Sequence, residues 1–277
     1  MNSKIFVINM DKDVGRWAMM QRELSKLQSF PYERIPGVYG KGLSQQEREN
    51  VATVSCAKYC PDSVIGIGMS HMSIWERVVQ EDLDYAIVLE DDVNLAPNFE
   101  AELNRELIKR EGNFDVLLIC TQCSFNAPNF LQPLLVAIDS AMRGWKSTRN
   151  HHEIMMAAHG YVVSRRGAHQ LLSEFADGLS HHIDMSISNR NINIIRGPGL
   201  VHRNVDHAET STNSKKSVFL HLVPQNFQWE MGMPVIKVNQ FEILGVHVVL
   251  TVLLVVLIII GLIIYIARCR ARAHHRE

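Results

Sequence analysis

Cysteine is scarce in this chain: five residues, at positions 56, 60, 120, 123 and 269 of 277. That is too few for a disulfide scaffold, so an apolar core has to hold the fold. Charge of one sign is lacking too. Lys and Arg total 28 against 29 Asp and Glu, and a net charge of -1 excludes bulk nucleic-acid binding. Aromatic residues are few and do not alternate with basic ones. No Asn-x-Ser/Thr sequon occurs, which suits a domain kept from lumenal glycosylation. There is no Gly-x-x-x-x-Gly-Lys-Ser/Thr loop, so metal-dependent phosphoryl transfer of the P-loop kind ranks low. No internal repeat is present. A signal peptide is absent as well: Ile5-Phe6-Val7-Ile8 is followed at once by Asp11-Lys12-Asp13, and a signal core needs about 7–15 apolar residues. The run reads as the first strand of the fold.

What the chain does have is one long apolar run. From Ile243 to Ala267 there is no Asp, Glu, Lys or Arg. A bilayer core of roughly 30 Å needs about 20 such residues, so 243–267 is expected to be a transmembrane helix. Arg268, Arg270, Arg272 and Arg276 follow in a short tail, 268–277. Residues 1–240 are long enough for one large domain or two small ones, and are read as one domain. Cys269, beside the membrane, is a candidate for palmitoylation.

Strand-like and helix-like segments alternate through 1–240. Strands are expected at Lys4–Asn9, Tyr85–Leu89, Phe114–Cys120, Gly160–Ser164 and Asn191–Arg196. Helices are expected at Val14–Leu27, Met69–Glu81, Asn98–Lys109 and Gly167–Phe175. Another opens at Ser44, where Glu47 completes a capping box. Asn126–Asn150 reads as an irregular insertion, and Thr210–Lys216 as loose and polar. This alternation predicts an α/β fold with a mostly parallel sheet. The spacings Cys56-x-x-x-Cys60 and Cys120-x-x-Cys123 leave a zinc site open. Cys120, ending an apolar run, reads instead as a small buried hydrophobe.

The strongest local signal is Ala86-Ile87-Val88-Leu89-Glu90-Asp91-Asp92-Val93. An apolar strand runs straight into three acids. Ligands of open α/β sheets bind at the carboxyl ends of strands. Extended backbone puts Glu90 and Asp92 on one side, and a hard divalent cation takes such oxygens and bridges to a diphosphate. The competing reading is a solvated acidic turn.

Several blocks together resemble one family. They are Ile8-Asn9-Met10 with Arg16, Ile65-Gly66-Ile67-Gly68-Met69-Ser70-His71, Val88 to Val93, Gly160-Tyr161-Val162-Val163-Ser164, and Ile183-Asp184. In this order, over residues 4 to about 215, they resemble glycosyltransferase family 25, which includes lipopolysaccharide and collagen galactosyltransferases. The chain departs from that pattern at Ile67, His182 and His202.

The resemblance implies a GT-A-like nucleotide-sugar-binding domain that uses Mn²⁺, or another divalent cation, with a UDP-sugar donor. Glu90 and Asp92, with His202 as a third ligand, are the expected metal residues. Asn9, Arg16, Ser70, His71 and Asp91 are the expected donor-binding residues. Ser70-His71 is expected at the start of a helix. Transfer with inversion needs a base for the acceptor hydroxyl, and Asp184 is the candidate. The acceptor would be a glycan, lipid-linked or protein hydroxyl. A rival expectation is an inactive relative kept as a membrane-bound binding or scaffold protein. The lack of a signal peptide and sequon favours a cytosolic domain on a C-terminal anchor, although the arginine tail argues for the opposite orientation.

Overall fold

In a computed structural model the structure describes residues 2–121, 155, 157–180, 182–188, 190–204, 234–238 and 241–274. Asn126–Asn150 and Thr210–Lys216 lie outside them. The chain divides into two units, Met1–Lys216 and Ser217–Glu277.

The first unit is built on a seven-stranded sheet of order β2-β1-β3-β6-β5-β7-β4. Its strands are β1 (Ser3–Asn9), β2 (Tyr32–Pro36), β3 (Tyr85–Glu90), β4 (Val93–Leu95), β5 (Val116–Cys120), β6 (Gly160–Ser164) and β7 (Ile194–Arg203). The central strands are buried on both faces, as their unbroken Ile, Val and Leu runs require.

The sheet is mixed, which corrects the expectation of a mostly parallel one. β1 runs parallel to β2 and β3, and β5 parallel to β7. β6 enters antiparallel to both β3 and β5, and β4 is antiparallel to β7. Alternating strands and helices suggested parallel crossovers throughout. That pattern carries no information about β6, whose connection from β5 includes residues outside the described ones.

Seven α-helices belong to the described part of this unit: α1 (Val14–Leu24), α2 (Gln45–Val51), α3 (Val54–Tyr59), α4 (Asp62–Gln80), α5 (Phe99–Arg110), α6 (Arg165–Glu174) and α7 (Ile183–Ser188). The capping box at Ser44 forms as expected, with Ser44 and Glu47 satisfying each other's backbone N–H groups. α4 begins seven residues earlier than Met69. Gly66 and Gly68 look like loop residues but serve packing. A Cβ on Gly66 would meet the Val38 carbonyl oxygen at 2.4 Å, and one on Gly68 would meet Leu179 at 2.6 Å. Ser70 and His71 are therefore mid-helix, not at its start.

Cys56 and Cys60 form a disulfide across α3, and Cys120 is also disulfide-bonded. This corrects both the zinc reading and the free-thiol reading of Cys120. Buried Arg48 ties the region together. It donates to the carbonyls of Ala57 and Cys60 and pairs with Asp62 at 2.5 Å.

Only Asp91 and Asp92 separate β3 from β4, yet β4 pairs with β7. The end of β7 must therefore cross the carboxyl end of β5 and the amino end of β6. Gly160 allows this, since a Cβ there would lie 2.8 Å from Val201. The crossing is what brings β7 to the acidic turn.

In the second unit β8 (Pro234–Val238) and β9 (Phe241–Leu244) pair antiparallel and lead into α8 (Gly245–His274). Among the described residues no helix is long and apolar enough to cross a membrane. The expected span 243–267 is corrected at its start, because Ile243 and Leu244 belong to β9. The side chains of α8 are described over 250–266, where its Leu, Ile and Val residues are exposed.

Candidate functional site

The site grows from the carboxyl end of β3. Its apolar residues are fully buried, and the chain then turns through Asp91 and Asp92 into β4. Three acids in succession must find partners or repel one another. Each finds a different one.

Asp91 faces β1 and α1. It accepts from Asn9 Nδ2 at 2.6 Å and from Arg16 Nη1 at 3.1 Å. Asn9 is buried at the end of β1, where its Oδ1 accepts from Arg34 Nε at 2.7 Å. Arg34 also pairs with Asp11 at 2.6 Å and lies over the Trp17 ring. Thus Asn9, Arg16 and Asp91, all predicted as donor-binding residues, do come together. They form a brace between the ends of β1 and β3. Burial pushes the Asp91 carboxyl above its ordinary range despite Asn9 and Arg16. Burial works against the Arg16 charge, and Asp91 outweighs it.

Asp92 faces the end of β7. Its Oδ2 lies 3.3 Å from Arg203 Nε, and its backbone carbonyl accepts from Asn204 N at 2.7 Å. Its Oδ1 is buried and has no hydrogen-bond partner. Burial, joined by the charge of Glu90, pushes Asp92 up to about 6.

Glu90 keeps 30% of its side chain exposed. Its Oε1 lies 3.7 Å from His71 Nε2. Burial pushes its carboxyl up, but His71, His159 and Arg203 outweigh that and hold it below the ordinary range. His159 is buried at the start of β6, and its carbonyl accepts from Glu90 N at 3.2 Å. Burial holds the His159 imidazole below its ordinary range.

His71 is fully buried on α4. Its Nδ1 lies 3.0 Å from Tyr161 Oη on β6, and that hydroxyl also accepts from Trp75 Nε1 at 3.0 Å. Burial pushes the Tyr161 phenol far up, so it stays protonated. Ser70 sits elsewhere on α4. It donates to the Gly66 carbonyl and accepts from Val38 N, both at 2.9 Å. Its hydroxyl is thus committed to the loop after β2.

His202 is exposed on β7, opposite Asn94, with Nδ1 3.3 Å from Thr121 Oγ1. Neighbouring strand residues point to opposite faces, and it is Arg203 that faces Asp92. Among the described residues no group of three His, Cys, Asp or Glu side chains could hold a metal ion. The predicted trio of Glu90, Asp92 and His202 is therefore not assembled, because strand alternation turns His202 away. Asp184 is buried in the first turn of α7, which packs against α4.

Arg34, His159 and Arg203 are site residues that sequence reasoning missed. Arg203 carried the best signal, being next to the His202 that was singled out.

With two hard oxygen donors and a buried, unpartnered Oδ1, the turn suits a divalent cation shared with a ligand's phosphates. Arg203 would contribute positive charge beside it.

Comparison with known proteins follows the same residues. The family model described as glycosyltransferase family 25 (LPS biosynthesis protein) matches residues 2–187. A glycosyltransferase 25 family member of Anopheles gambiae is 26% identical over 62% of this chain and 29% of its own length. A putative glycosyltransferase of Acanthamoeba polyphaga mimivirus is 26% identical over 43% of this chain and 37% of its own. Human procollagen galactosyltransferase 2 is 29% identical over 40% of this chain and 18% of its own. The chain thus spans well under half the length of these relatives. Among solved structures, a galactosyltransferase LgtC complex with donor and acceptor sugar analogues is 10% identical, with a TM-score of 0.38 over 70% of this chain and 72% of that one. The family match runs from β1 through the acidic turn, β6 and most of α7, and the chain belongs to glycosyltransferase family 25.

Proposed function

We propose that this chain is a glycosyltransferase that moves a hexose, galactose or a close relative, from a UDP-sugar to a hydroxyl of a glycan, lipid-linked or protein acceptor. The observation that carries the reading is the acidic turn at the end of β3. There Glu90 is partly exposed and Asp92 Oδ1 is buried without a partner. Family membership and the galactosyltransferase names among the relatives support it.

Glu90 and Asp92 would hold a Mn²⁺ or similar cation, which supplies Lewis-acid stabilisation of the leaving diphosphate. Arg203 adds charge on the same side. The Asn9–Asp91–Arg16 brace fixes the turn against β1. Asp184 is the proposed base for the acceptor hydroxyl. Turnover of labelled UDP-sugars by the full chain, with and without Mn²⁺, tests this. Equal turnover by wild type and Asp92→Ala would remove the metal site from the reading.

One observation favours a second reading, an inactive binding protein. Arg16 and Arg203 already offset Asp91 and Asp92 from within the chain. Tight UDP binding with no turnover of any sugar would select it.

We also propose that α8 holds the first unit at a membrane, on the non-cytosolic side. The uncharged run 243–267 and the exposed apolar side chains of 250–266 support the anchor. The Cys56–Cys60 and Cys120 disulfides suit an oxidising compartment, and Arg268, Arg270, Arg272 and Arg276 suit a cytosolic tail. Both oppose the cytosolic placement expected from the sequence. Digestion of the tail, with the first unit protected, in intact microsomes or inverted vesicles is the expected result.

A further inference from the structure

The acidic turn is not the only ordered polar feature near the site. Behind Glu90 lies a buried chain of three side chains from two elements. Trp75 and His71 are four residues apart on α4 and share a face. Tyr161 comes from β6, opposite Val88 of β3. All three are fully buried.

Their hydrogen bonds have a direction. An indole N–H can only donate, so Trp75 Nε1 donates to Tyr161 Oη at 3.0 Å. A phenol has one proton. With its oxygen already accepting, Tyr161 turns that proton to the other partner in reach among the described residues, His71 Nδ1 at 3.0 Å. Nδ1 is then an acceptor. A neutral imidazole carries one proton, which is left on Nε2. His71 Nε2 is buried, makes no hydrogen bond, and faces Glu90 Oε1 at 3.7 Å. The His71 and Tyr161 rings stack with centroids 5.7 Å apart, which fixes the imidazole plane.

We propose that Trp75, Tyr161 and His71 are positioning residues: together they fix His71 as an Nε2–H donor aimed at Glu90, and so set which carboxylate oxygen Glu90 turns to the site. The inference deepens the transferase reading and rests on it for its catalytic consequence. His71 does not touch the donor in this arrangement. It acts through Glu90, from behind the strand. Tyr161 and Trp75 act one and two bonds further back, and a sheet strand and a helix are thereby locked to one polar register.

The test uses the full chain labelled with [¹⁵N]histidine. His71 is assigned by the signal lost in His71→Gln. In wild type the expected ring nitrogen shifts are those of a protonated Nε2 and an accepting Nδ1. In Tyr161→Phe the ring stays but the hydroxyl is gone, so both tautomers should populate. The kcat for transfer should then fall about tenfold, roughly one misplaced hydrogen bond, with donor KM changed less than about twofold. A purely structural role would lower the melting temperature without moving the tautomer. If Tyr161→Phe does not fold, Trp75→Phe frees the Tyr161 hydroxyl to rotate and is read the same way.

A wild-type His71 protonated on Nδ1 overturns the proposal. So does a tautomer that changes while kcat does not. Absence of any turnover in wild type would instead refute the transferase reading, and the wild-type tautomer, measured without substrate, is judged separately.

Discussion

Asp92 is held in a place that favours its protonated form, so its charge should cost stability. Burial and Glu90 raise it from the ordinary 3.8 to about 6. The folded protein therefore binds this proton more tightly than the unfolded chain does. Stability falls as pH rises from about 4 to about 6, and the cost is complete above that. At about 1.4 kcal/mol per tenfold in proton affinity, the full cost is about 3 kcal/mol. Asp92→Asn removes the charge but keeps the shape. It also leaves Arg203 without its carboxylate, which returns part of the gain, so a net gain of about 1–3 kcal/mol is expected at pH 7.5. For a unit of this size that is a rise of about 2–12 °C in melting temperature. The assay is thermal unfolding of both proteins at pH 7.5 and at pH 4.5, without metal. The variant should melt higher at pH 7.5, and the gap should close at pH 4.5. Mn²⁺ with UDP should then raise the wild type alone, by about 2.7 kcal/mol at a hundredfold excess over Kd. A variant that is less stable at pH 7.5, or a gap that ignores pH, refutes the account of a strained, waiting carboxylate.

Other outcomes test the frame around it. Gly160→Ala puts a methyl 2.8 Å from Val201, so it should cost about 1–3 kcal/mol in chemical denaturation and weaken UDP binding by displacing Arg203. Arg203→Ala should weaken UDP binding severalfold by calorimetry, whereas His202→Ala, exposed on the other face, should leave Mn²⁺ dependence unchanged. Replacing Cys56 and Cys60 together by Ser removes a short cross-link. The expected loss is about 2 kcal/mol, read as a lower urea midpoint in oxidised protein.

The parts of this protein legible in its sequence are those that periodicity and local chemistry dictate. β3 is an apolar run ending in acids, and no other role suits both halves of it. Ser44 and Glu47 announce a helix start because the cap is a four-residue affair. The glycines of α4 misled because their reason lies elsewhere in the chain. Gly66 and Gly68 sit mid-helix to let Val38 and Leu179 approach, and a glycine without its neighbour reads as a break. Arg203 and His202 show the same limit more sharply. Each is a plausible partner for a cluster more than a hundred residues away, and the choice between them depends on which one alternation turns inward. That follows from the register Val93↔Arg203, which exists only because β7 crosses the sheet top over Gly160. The Glu90 side chain has the same dependence in another form. Its neighbours Asp91 and Asp92 can be read beside it, but Trp75, Tyr161 and His71 reach it from a helix and a strand that no spacing rule connects. The chemistry of the acidic turn is local, and the geometry that makes it usable is long-range.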